Sequence, residues 1–152
     1  MPDFVIPEKK LKEEAREDDI THLSTGAAVV QNGKILVVRR EPDDYLGGVF
    51  ELPGGGVDEG ENLKEAVRRE VLEETGLVID NILAMFPGFD YSTPTKSKVR
   101  QLNFLVDAKG YNVKLSGEHD KFEWINEKSI RSFKTTGPMA KCLREAFSVI
   151  KL

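Results

Sequence analysis

The chain carries one cysteine, Cys142, among its 152 residues. A single thiol cannot close an intrachain disulfide, so a disulfide-stapled scaffold is excluded and a reducing cytoplasm is the expected setting. Long apolar runs are missing too; none approaches the roughly 20 residues that span a bilayer. The opening residues Met1-Pro2-Asp3-Phe4 lack the basic-then-apolar order of a secretory signal. Positive charge is in deficit, with 22 Lys and Arg against 26 Asp and Glu, a formal net charge of -4. A long DNA or RNA ligand asks for a broad basic surface, and none is evident. An anionic small molecule would have to be held locally, by metal and a few basic side chains.

What is present suits one soluble domain with a real core. Residues 1–20 stand apart as an N-terminal arm or short helix. Glu8 to Asp19 is dense in charge, with Leu11 and Ala15 its only apolar residues. A homodimer contact is one use for such an arm. Residues 21–152 read as a single domain. Ala27 to Val30 and Ile35 to Val38 are short apolar runs around Asn32-Gly33, a strong hairpin signal. Both runs are apolar on both faces, which predicts a sheet covered by helices on each side. Val49 to Leu52, Val78 to Phe86, Val99 to Asp107 and Phe122 to Ile125 read as further strands, with a polar loop over Pro87 to Lys98. Thr136-Gly137-Pro138 opens a last helix, whose apolar face includes Met139, Cys142, Leu143, Ala146, Phe147 and Ile150.

The glycine run Gly54-Gly55-Gly56 precedes a segment, Glu61 to Thr75, that reads as a helix stopped by Gly76. At about 100° per residue, Leu63, Ala66, Val67 and Val71 define one apolar face. Glu70 and Glu74 fall inside that face, and Glu73 lies at its edge. Unpaired carboxylates on a core stripe cost several kcal/mol each on the scale of a buried ion. An oxygen-rich cluster of this kind suits a hard divalent cation, Mg²⁺ first and Mn²⁺ second. The alternative is a solvated acidic face, which Glu61, Glu65 and Arg68 fit by spacing.

These residues carry a resemblance. Gly55 to Leu77 resembles the Nudix box, G-x5-E-x7-R-E-U-x-E-E-x-G-U with U a bulky aliphatic residue. Gly55, Glu61, Arg69, Glu70, Glu73, Glu74 and Gly76 fill its fixed positions, and Val71 and Leu77 its aliphatic ones. The resemblance to Nudix (MutT-like) hydrolases implies an α/β fold, a mixed β-sheet sandwiched between α-helices. It implies a metal-dependent pyrophosphohydrolase that cleaves a nucleoside diphosphate linked to another moiety. ADP-ribose, a nucleotide sugar, a dinucleoside polyphosphate and a nucleoside triphosphate are the candidate substrates. By the same resemblance Glu70, Glu73, Glu74 and the Gly54 carbonyl ligate metal, with Glu70 the alternative general base. Arg69 and Glu61 orient the carboxylates, a role that competes with a plain surface ion pair.

A loop acid outside the box often completes such sites. Glu118 is the first candidate and Asp120 the second, in a segment Glu118-His119-Asp120 ahead of Trp124. Substrate contacts are expected from Arg39 or Arg40 at a strand end, from Lys98 and Arg100 on one face of an extended segment, and from Tyr91 as a stacking platform. Lys98 and Arg100 serve equally well as guards of a sheet edge. Two other classes stay open on the same fold: a nucleotide-sensing module without catalysis, and a prenyl-diphosphate isomerase. The second needs a reactive cysteine, and Cys142 reads as core.

Overall fold

Strands that are apolar on both faces need cover on both, and helices supply it. The computed structural model describes residues 3–151. In chain order the elements are α1 (Glu8–Glu17), β1 (His22–Gln31), β2 (Lys34–Arg40), β3 (Phe50–Glu51), β4 (Gly54–Gly56), α2 (Leu63–Thr75), β5 (Ile79–Ser92), β6 (Lys98–Ala108) and β7 (His119–Ile125). A 3-10 turn (Glu127–Ser132) and α3 (Gly137–Ile150) follow. The strands form one seven-stranded mixed sheet, with β1 parallel to β6 and the other pairings antiparallel. Side chains alternate across it with period two. Ala27, Val29, Leu36 and Phe104 join the cluster that holds Leu63, Val67 and Val71 of α2. Ala28, Ile35, Val37 and Leu105 join the one that holds Leu143, Ala146 and Phe147 of α3. The expected sandwich is the observed one. Each fully buried aliphatic side chain contributes about 1.5–3 kcal/mol relative to exposure.

Local chemistry explains the boundaries. Asn32 and Gly33 have φ of 51° and 76°, the left-handed pair that a tight hairpin requires. The box helix begins at Leu63, two residues later than the predicted Glu61. Asn62 is its cap: its side chain accepts from the Glu65 N–H at 2.8 Å, and Glu65 accepts from the Asn62 N–H at 3.2 Å. The Glu8 carboxylate of α1 accepts the Leu63 N–H as well. Gly76, at φ 72°, ends α2 as expected.

The loop predicted over Pro87 to Lys98 is corrected: β5 runs through Pro87 to Ser92. An edge strand tolerates a residue without an N–H, and β5 lies at the sheet edge. The register shifts between Phe86 and Phe89, where a Cβ on Gly88 would stand 1.8 Å from the Gln101 carbonyl oxygen. A bulge built on proline and glycine therefore extends the strand. Other strands also begin earlier than predicted, β1 at His22 and β7 at His119.

The N-terminal residues pack on the domain. Asp3 meets Lys64 at 2.8 Å and Arg68 at 3.0 Å, and accepts the Ile82 N–H at 2.9 Å. Leu11 packs against the cluster under α2, and Ala15 is buried. The arm's two apolar residues are thus used within the chain. No helix among the described residues is long and apolar enough to cross a membrane.

Candidate active site

The glycine run is the short strand β4, wedged between β1 and α2. A Cβ on Gly54 would stand 1.9 Å from the Thr25 carbonyl oxygen, and one on Gly55 2.5 Å from Glu70 Oε2. Only glycine lets two backbones and a carboxylate approach this closely. Gly54 then donates its N–H to Glu74 Oε1 at 2.7 Å.

Arg69 organises the acids beside that strand. Its Nε and one terminal nitrogen grip the two Glu61 oxygens at 2.7 and 2.9 Å. The other terminal nitrogen reaches Glu70 Oε1 at 2.8 Å and Glu73 Oε2 at 3.2 Å. A further hydrogen bond, at 2.9 Å, ties the guanidinium to the Gly56 carbonyl. One planar fork thus fixes three carboxylates and the loop. Hydrogen bonding from Arg69 holds the Glu61 pKa below its usual value. Burial pushes the Glu70 pKa up against the pull of Arg69.

Glu74 differs from its neighbours. It is 6% exposed, and among the described residues no Lys or Arg pairs with it. Burial raises its pKa to about 8, with the Gly54 N–H and His119 only partly offsetting the cost. Glu73 is exposed. The sequence placed Glu70 and Glu74 inside the apolar face and Glu73 at its rim, and the burial follows that order.

Glu118 joins from the segment before β7. Its carbonyl accepts the Glu41 N–H at 3.1 Å, which links the segment to the loop after β2. Carboxylate oxygens of Glu74 and Glu118 and a ring nitrogen of His119 lie within 4.8 Å of one another. His119 is buried, with Nε2 2.9 Å from Glu51 Oε2 and Nδ1 3.8 Å from Glu74 Oε2. Burial alone would lower the His119 pKa; the Glu51 hydrogen bond and the Glu74 charge outweigh it and leave it raised. Asp120 is engaged elsewhere, by a two-pronged pair with Arg39 at 2.9 Å on each arm.

The candidate substrate contacts divide. Arg39 and Arg40 lie beside the cluster, since Arg40 pairs across the sheet with His119. Both are occupied: Arg39 by Asp120, and Arg40 by Asp44 at 2.8 Å, Glu51 at 3.3 Å and the Tyr45 carbonyl. Lys98 and Arg100 lie on β6, across β1 from β4, and are not brought to the carboxylates. Arg100 binds Asp90 and Asp18, both at 2.8 Å. Tyr91 is exposed on β5 and packs on Phe89 with centroids 5.8 Å apart. Cys142 is buried on the inner face of α3, in the cluster opposite α2.

Residues 20–146 match the family model described as NUDIX domain. The chain belongs to the Nudix family. Among solved structures, the MutT protein from Methanosarcina mazei Go1 is 30% identical, with a TM-score of 0.68 over 86% of this chain and 94% of that one. The E. coli ORF135 protein superposes with a TM-score of 0.73 at 18% identity, a likeness of fold alone. A protein named ADP-ribose pyrophosphatase, from Methanocaldococcus jannaschii, is 32% identical over 103 residues, 64% of this chain and 57% of its own length. Nucleoside triphosphatase NudI of Escherichia coli is 28% identical over 127 residues, 76% of this chain and 90% of its own length. The chain is a Nudix hydrolase of phosphoric anhydride bonds.

Two members of the constellation escape the sequence reading, Glu51 and the inward role of His119. One signal for Glu51 was present: an acid between Phe50 and Leu52, both core residues, must point away from them.

Proposed function

We propose that this Nudix hydrolase attacks the diphosphate of a nucleoside diphosphate linked to a second group, releasing a nucleoside monophosphate with Mg²⁺ or Mn²⁺. The observation that carries the reading is Glu74, an inward carboxylate that no Lys or Arg among the described residues pairs with, beside Glu70 and Glu118. The donor set is oxygen-rich, as a hard divalent ion requires. Glu74, Glu73, Glu118 and the Gly54 carbonyl would hold it. Bound there, the metal would neutralise diphosphate oxygens and acidify a water.

The chain's own residues do the rest. Glu70 Oε2 is the oxygen that Arg69 leaves free, and it takes the proton from the attacking water. A raised pKa suits that task, because the group must hold a proton once it has it. Arg69 and Glu61 keep Glu70 in place and close the loop through Gly56. The anion enters a locally prepared site, as a chain of net charge -4 requires. Names of relatives point both to ADP-ribose and to nucleoside triphosphates, so both belong in the assay.

The test is a panel of ADP-ribose, dinucleoside polyphosphates, nucleoside triphosphates and nucleotide sugars, read by monophosphate release with each metal. No turnover from folded protein across the panel defeats the proposal. Glu70→Gln lowers kcat about 10²- to 10⁴-fold. Glu74→Gln removes the heat of Mg²⁺ binding in titration calorimetry while circular dichroism stays native.

A further inference from the structure

Inward-facing His119 holds a nitrogen with nothing to bind. The side chain is 2% exposed, and its Nδ1 has no hydrogen-bond partner among the described residues. Buried polar atoms are almost always satisfied, so an orphan asks for an explanation. Its other nitrogen is committed. Nε2 lies 2.9 Å from Glu51 Oε2, and an ionised carboxylate only accepts. Nε2 therefore carries the proton in the neutral ring, and Nδ1 presents its lone pair to the interior. Glu51 is itself braced by Arg40 at 3.3 Å. A carboxylate behind an imidazole is the arrangement that sets the tautomer and angle of a metal-binding histidine.

What Nδ1 faces is the Glu74 carboxylate, in a cluster that also holds Glu118. Glu74 Oε2 stands 3.8 Å away, and ligand atoms of Glu74, Glu118 and His119 fall within 4.8 Å of one another. Two ligands on one ion, each bonded at about 2.1 Å, stand no more than about 4.2 Å apart. The 3.8 Å pair is inside that limit, and a small closure of the exposed Glu118 side chain completes the set.

We propose that Glu74, Glu118 and His119 form one divalent-metal site in which His119 Nδ1 is a direct ligand. Glu51 is the positioning residue behind it. A mixed nitrogen and oxygen set favours a transition ion over Mg²⁺, which prefers oxygen alone. The inference rests on the metal-dependent reading of the box, but a separate measurement decides it.

Mn²⁺ is the probe. Pulsed electron paramagnetic resonance of the Mn²⁺-loaded full chain reads nitrogen bonded to the ion. The expected result is a ¹⁴N coupling that becomes a ¹⁵N coupling when only histidine is isotopically labelled. It survives His22→Gln, because His22 is the exposed histidine at the start of β1. It is lost in His119→Gln, where Mn²⁺ affinity falls about 10-fold or more and Mg²⁺ affinity changes little. Glu51→Gln keeps the coupling and weakens Mn²⁺ binding about 10- to 100-fold. Absence of any histidine coupling in the wild-type chain overturns the inference, and that measurement needs no variant to fold. Mg²⁺-dependent turnover without the coupling defeats this site alone. The coupling without turnover on any substrate of the panel defeats the proposed function alone.

Discussion

Arg69 directs its guanidinium at three glutamates and one carbonyl, and this is geometry that a point charge cannot copy. Arg69→Lys keeps the charge and loses the fork. The expected outcome is a kcat about 10- to 100-fold lower, the cost typical of removing a residue that orients metal-site ligands. Steady-state kinetics checks it, and unchanged turnover would leave the clamp without a catalytic role. Glu70, Glu73 and Glu74 are legible in sequence because helical periodicity turns spacing directly into face. Arg69 is only half legible, since spacing allows a surface ion pair just as well. Arg39, Arg40 and Arg100 show the limit at this scale. A sequence reveals a guanidinium but not whether Asp120, Glu51 or Asp90 already holds it.

At the scale of elements, α2 is the part that must not drift, because it carries Arg69 and the box acids together. Its first turn is fixed by the Asn62–Glu65 capping box. Asn62→Ala removes the cap acceptor, at a cost of about 1 kcal/mol. For a chain of this size that lowers the melting temperature by roughly 2–4 °C, read by differential scanning calorimetry. A wild-type melting curve would mean that other contacts hold the turn. Helices are predicted well here because their signals are local: a Gly76 stop and a stripe of period 3.6. Strand ends are predicted less well. The extension of β5 past Pro87 depends on its place at the sheet edge and on the approach of Gln101, and neither is written in the segment itself.

For the whole molecule, long-range contacts decide what remains. Glu51 and His119 are 68 residues apart and meet because β3 and β7 both pair with β2. No window of sequence contains that fact. The N-terminal segment is tied in similarly, through Asp3. Hydrogen bonds from Lys64 and from the Ile82 N–H, with Arg68 nearby, lower its pKa to about 2. A depressed carboxylate pKa favours the folded state above the unfolded value and loses that effect as pH falls through the folded one. Asp3→Asn should therefore cost stability above about pH 4, with the difference from wild type vanishing by about pH 2. Urea unfolding at several pH values measures it, and a pH-independent difference refutes it. The parallel pairing of β1 with β6 has its own consequence. Thr21 and Lys98, where that pairing begins, are 77 residues apart, and β1 also pairs with β4, the strand of the box glycines. Closing so long a loop is slow compared with forming α2. During refolding the helix forms first and the proposed cation site last, so Mn²⁺ binding should recover with the slowest phase rather than with helicity.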